Sequence, residues 1–69
     1  MNNNKYTQGQ HKYQIDTLLW DTEDNTHQTI TFEVYADSEQ KAWRVGGDYM
    51  IDNYNQELYN ADTTIQEVK

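Results

Sequence analysis

The chain has no cysteine and no proline among its 69 residues, and only three glycines. Without cysteine there is neither a disulfide staple nor a thiolate zinc site, and the absence fits an intracellular protein. Without proline, no position is barred from a strand or helix by a missing N–H. Histidine occurs only at His11 and His27, too far apart to suggest a metal cluster. No apolar run approaches the roughly 20 residues of a membrane span, and no apolar segment of the secretory kind is seen. The expected setting is the cytoplasm of a host cell, with no membrane partner.

Positive charge is scarce as well. Five Lys and Arg face twelve Asp and Glu, for a net charge of −7. Direct binding of DNA or RNA is disfavoured, because no basic patch exists to displace counterions from phosphates. A basic protein partner is favoured by long-range steering, although acidity also serves plain solubility. A chain this short buries only about 60% of the surface it exposes unfolded. With no covalent staple, a homodimer or a partner-bound monomer is the expected means of support.

Met1–Lys12, rich in Asn and Gln and aperiodic, reads as a disordered arm, and residues 13–69 as one domain. From Tyr13, Ile15, Thr17 and Leu19 alternate with Gln14, Asp16, Leu18 and Trp20, which is strand spacing. "TEDNT" is a turn signal, and Ile30, Phe32, Val34 and Ala36 then alternate with Thr29, Thr31, Glu33 and Tyr35. These two runs predict an antiparallel hairpin. Asp37 is the expected helix N-cap, with Gln40 completing a capping box. Ala42, Val45, Gly46, Tyr49, Met50, Asn53 and Tyr54 share one broad side of the helical wheel. Gly46 and Gly47 each weaken a helix interior by about 1 kcal/mol, so one kinked helix is expected; two helices, with Asp48 capping the second, is the alternative. Ile65 and Val68 predict a third strand. The fold class is α+β: a small antiparallel sheet in β-β-α-β order, one face covered by a helix.

If the helix covers the face with Ile15, Leu19, Ile30, Phe32 and Val34, the opposite face shows Asp16, Leu18, Trp20, Glu33 and Tyr35. Carboxylates are expected there beside aromatic and aliphatic neighbours. Trp and Tyr are the residue types enriched at interface hot spots, so that face is expected to bind a partner or a second copy.

Catalytic chemistry finds no footing. Ser38 is the lone serine and belongs with the helix start; His27 is expected exposed in the hairpin turn. "DTEDNT" places oxygens at Asp21, Glu23 and Asn25 as a calcium loop would, but Thr26 stands at the required glycine and Phe32 at the bidentate glutamate. No catalytic residue, metal ligand or cofactor is therefore assigned. What the residues do offer is carboxylates on rigid elements, able to stand in for DNA phosphates: Asp16, Asp21, Glu23, Asp24 and Glu33 on the hairpin, and Asp48, Asp52 and Glu57 further on. Asp48 and Asp52, four apart, share a helical face.

At "YQIDTLLWDTEDN" the chain resembles the opening hairpin of small acidic phage proteins that inhibit uracil-DNA glycosylase; Tyr13, Leu18, Leu19 and Asp21 match. That resemblance implies a dimer whose acidic, aromatic groove captures its target in place of DNA. "FEVYADSEQKAW" is similar to the strand-then-helix start of many phage and plasmid β-β-α-β proteins. The expected function is a non-enzymatic phage-type inhibitor that blocks a host nucleic-acid-binding protein by filling its basic groove: anti-CRISPR, anti-restriction or against DNA repair. The alternative is an assembly module acting as a homodimer or within a phage protein complex.

Overall fold

Residues 5–69 are described by a computed structural model, in the order β1 (His11–Asp21), β2 (Thr26–Ala36), α1 (Glu39–Tyr54), a single 3-10 turn (Asn60–Asp62) and β3 (Thr64–Val68). This is the expected α+β fold. The sheet is antiparallel in the order β2-β1-β3, which makes β1 the central strand. The period-two pattern sets the register. Ile15 lies opposite Phe32 on one side and Ile65 on the other, and Tyr13 opposite Val34, so the core-forming residues of the three strands share one face. The hairpin closes through Thr22–Asn25. Asp21 Oδ1 accepts from the main-chain N–H of Glu23 (3.0 Å) and of Asp24 (3.3 Å), and Asn25 takes the left-handed conformation, φ 54°, that Asn tolerates better than most residues.

The helix begins one residue later than the sequence suggests. Ser38 is the N-cap and its hydroxyl accepts from Lys41 N, whereas Asp37, the expected cap, accepts from Gln10 N (3.1 Å). Two adjacent residues were each competent to cap, and the N-terminal segment engages the first of them. Between Ser38 and Asn55 the chain forms one helix, not two, and Asp48 lies in its interior rather than capping a second. Ala42, Gly46 and Met50, spaced by four, form its buried stripe. Gly46 explains why the helix runs through the glycine pair: a Cβ there would fall 2.5 Å from Ile15 Cδ1, so the lack of a side chain lets the helix cross directly over the central strand. Tyr49 stacks on Phe32 with ring centroids 4.0 Å apart. Asn55 ends the helix at φ 58°, its N–H bonding back to Ile51 O (3.0 Å). Val45 and Tyr49 pack at the core margin as the wheel suggests, but Asn53 and Tyr54 are exposed.

The core is Tyr13, Ile15, Phe32, Val34, Ala36, Ala42 and Met50. Burial of each large apolar side chain in it contributes about 1.5–3 kcal/mol. Among the described residues the one buried polar residue is Thr17, whose hydroxyl lies 2.7 Å from that of Thr63. Thr63 donates its own proton to Tyr59 O, so Thr17 is the donor to Thr63 and both hydroxyls are satisfied.

Of the expected disordered arm, residues 1–4 lie outside the described residues. The rest is placed. β1 starts at His11 rather than Tyr13, and the segment before it runs along the flank between β2 and α1. Tyr6 O accepts from Tyr35 N (2.7 Å), the Tyr6 ring meets Tyr49 edge-on, and Asp52 Oδ2 accepts from both Tyr6 Oη (2.6 Å) and Lys5 Nζ (2.7 Å). Those two partners hold the Asp52 carboxyl below its ordinary range, Lys5 contributing most; in return Asp52 raises Lys5 and Tyr6. A Cβ on Gly9 would lie 2.2 Å from Ala36 Cα, so the segment fits this closely only with glycine.

Candidate functional site

Two lengths place the site. Eleven residues of strand extend for about 36 Å, whereas sixteen residues of helix span about 24 Å. Helix and hairpin share one end, where β2 hands over to α1, so the hairpin tip projects beyond the helix along the molecule's 38 Å axis. β3 stops short too: it reaches only the level of Asp16. Residues 20–29 are accordingly all exposed.

On the uncovered face, the register brings together Asp16, Leu18, Trp20, Glu33 and Tyr35, as the alternation implies, but not in the expected mixture. Leu18 faces Thr29, Trp20 faces His27 and Tyr35 faces Lys12. The carboxylates have polar company: Asp16 accepts from Thr31 Oγ1 (2.6 Å) and Gln14 Nε2 (3.3 Å), and Glu33 lies 3.7 Å from Lys12 Nζ. Apolar and aromatic exposure is thus divided between the two ends of this face rather than forming one patch.

At the tip end, Trp20 is held from several sides. Its main-chain N–H donates to Gln56 Oε1 (3.1 Å) and its carbonyl accepts from Gln56 Nε2, so one glutamine amide replaces the strand neighbour that β3 no longer supplies. Its indole Nε1 donates to Asp62 Oδ2 (3.4 Å), and its ring packs on His27 at 4.6 Å. His27 belongs to β2 itself rather than to the turn. Trp20 nonetheless stays 39% exposed, which leaves a positioned indole available to a partner. Below the overhang an open hollow of about 730 Å³ is lined by Leu19, Trp20, Asp21, Glu23, Tyr54 and Gln56 among others.

The cations are segregated along the same axis. Lys12 is the second residue of β1, Lys41 and Arg44 sit in the first two turns of α1, and Lys69 follows β3. All four lie toward the end opposite the tip, and Lys5 is taken by Asp52. The tip end carries Asp21, Glu23 and Asp24, with Glu57 and Asp62 on the adjoining segment. Among the described residues, none of these five carboxylates has a Lys or Arg within salt-bridge distance. Two intervals free of Lys and Arg, between Lys12 and Lys41 and between Arg44 and Lys69, carry this signal in the sequence.

Asp48 and Asp52 are not part of this arrangement. They lie on α1, across the sheet from Asp16 and Glu33, and Asp52 is occupied by Lys5 and Tyr6. Gln56, His27, Asp62 and Tyr54 are the contributors that sequence reasoning missed; Gln56 and Asp62 reach Trp20 from 36 and 42 residues away, with no local pattern to announce them. Among the described residues no group of three or more His, Asp or Glu is gathered as metal ligands would be, and no helix is long and apolar enough to cross a membrane. No family model, curated protein or solved structure matches the chain.

Proposed function

We propose that this chain is a non-enzymatic acidic inhibitor of the phage type, which captures a host nucleic-acid-binding protein in its basic groove. The observation that carries the reading is the projecting hairpin end: five carboxylates without a cation partner around a positioned, exposed indole. The carboxylates occupy sites that would otherwise hold phosphates, and their field steers encounter with a basic surface. Trp20 is the anchor, and its Ala substitution in a hot spot costs at least about 2 kcal/mol of binding. Glu23 and Asp24 supply charge with side chains that no hydrogen bond of the turn uses, whereas Asp21 also holds the turn. CRISPR effectors, restriction enzymes and DNA-repair enzymes all present grooves of this kind.

The test is competition. The chain is added to a panel of purified DNA-binding proteins bound to labelled duplex, at low and at physiological salt. Release of duplex by the native chain, weakened by rising salt and lost in Trp20→Ala and in Glu23→Gln/Asp24→Asn, is the expected result. Release that persists in both variants would assign inhibition to another surface.

A further inference from the structure

We infer that the free edge of β2 pairs with the same edge of a second copy, joining two three-stranded sheets into one of six strands. In an antiparallel ladder the N–H and C=O of one residue point to the same side, and successive residues alternate. Tyr35 N–H points away from β1, because it donates to Tyr6 O. His27, Thr29, Thr31 and Glu33 therefore face the same way. The other side of the sheet agrees with this phase: Trp20, opposite His27, turns its N–H and C=O away from β2 toward Gln56. Among the described residues, only Tyr35 of this edge has a main-chain partner beyond β1. The remaining four positions form an uninterrupted strand edge, with no proline or bulge to blunt it.

The second copy fits by register and by charge. A two-fold axis at Ile30 sets Thr29 opposite Thr31 of the other copy and His27 opposite its Glu33. These pairs are of the hydrogen-bonded kind, and neither sets a carboxylate opposite a carboxylate. Ile30 is only half-buried within one copy; on the axis it meets its own counterpart at the close, non-hydrogen-bonded position. The same operation lays the acidic tip of one copy beside the hollow of about 280 Å³ at the other end of the partner strand. That hollow is lined by Tyr35, by Lys41 with its partner Asp37, and by Lys5, which Asp52 holds. Antiparallel pairing thus sets the cation-free acidic end of one copy beside the cation-bearing end of the other.

Absence of native cysteine makes the test clean. Residues facing each other at a non-hydrogen-bonded pair have Cα atoms about 4.5 Å apart, within the range a disulfide spans. Ile30→Cys is therefore expected to cross-link to itself under oxidised glutathione. Gln28→Cys, whose counterpart lies about 13 Å further along the partner strand, is expected not to. In sedimentation equilibrium the native chain should show a concentration-dependent dimer. Thr29→Pro removes an N–H used only between copies, and is expected to weaken the dimer roughly 30-fold. Thr31→Lys, which keeps the strand unconstrained, should weaken it as well if the proline variant folds poorly. A chain that stays monomeric at all concentrations, or Gln28→Cys cross-linking as fast as Ile30→Cys, would overturn the inference.

Discussion

Gly46 and Gly47 are neighbours in one helix, yet alanine should affect them in opposite directions. Intrinsic propensity is the same at both: Ala is favoured over Gly by about 1 kcal/mol in a helix interior. At Gly47 nothing lies within 4 Å of the added Cβ, so the propensity gain stands alone. Gly47→Ala is expected to raise the midpoint of thermal unfolding by about 4–8 °C, the shift that 1 kcal/mol produces in a domain this size. At Gly46 the Cβ meets Ile15 Cδ1 at 2.5 Å and Leu58 Cδ2 at 3.4 Å. Ile15 is fully buried between two paired strands, so its methyl has no empty space to enter. Overpacking of this kind costs about 1–3 kcal/mol, which cancels or exceeds the propensity gain. Gly46→Ala should therefore leave stability unchanged or lower it by up to about 2 kcal/mol. The assay is paired thermal and urea unfolding, followed by circular dichroism at matched protein concentration. Two alanine variants equally more stable than the native chain would refute the close helix crossing over Ile15.

Two further perturbations probe the margins of the fold. Thr63→Val leaves the buried Thr17 hydroxyl without its acceptor and should cost about 1–3 kcal/mol in urea unfolding, while Thr17→Val/Thr63→Val together should recover part of that loss. Asp52 has a depressed carboxyl, so its contribution is complete above the ordinary carboxylate range and is lost as pH falls through the lowered value; Lys5 and Tyr6 are raised, so theirs is complete below their ordinary range and lost as pH rises through the raised values. Stability from this cluster should therefore be level around neutral pH. By NMR titration Asp52 should ionise below the ordinary aspartate range, and Asp52→Asn should return the Tyr6 phenol toward its ordinary value; an Asp52 that titrates within that range would show that Lys5 and Tyr6 do not hold it.

The hairpin was legible because its pattern is local: alternation from Tyr13 to Trp20 and from Thr29 to Ala36 specifies which side chains turn to the core, and the observed register keeps them there. What was not legible depended on contacts distant in sequence. Glycine at position 46 reads as a helix breaker until Ile15 is placed beneath it. Asp37 is as good a cap as Ser38 until Gln10 claims its carboxylate. Trp20 was legible as an exposed aromatic, but the glutamine amide and the carboxylate that position it come from beyond α1, and their arrival depends on the helix ending after sixteen residues. The helical aspartates illustrate the converse. Their spacing of four was read correctly as one helical face, but that face lies across the sheet from the acids on the uncovered side.

Inhibition and self-pairing, as proposed, draw on one asymmetry, and together they make a prediction that neither makes alone. The β2 edge lies on one side of the hairpin, whereas Trp20 with Gln56 and Asp62 is anchored on the other. Pairing through β2 therefore leaves both indoles outward, at opposite ends of a six-stranded sheet. A dimer of that form holds two acidic anchors at a fixed separation, and a target with two basic sites gains effective concentration from the second contact. Thr29→Pro should then weaken binding to such a two-site target while leaving a single-site target unaffected, because it touches no residue of the anchor. Trp20→Ala should weaken both. Titration of each variant against one-site and two-site forms of the same basic protein separates the contributions. Equal loss for Thr29→Pro on both forms would mean that β2 itself contacts the target, and the division of labour between the two sides of the hairpin would be wrong.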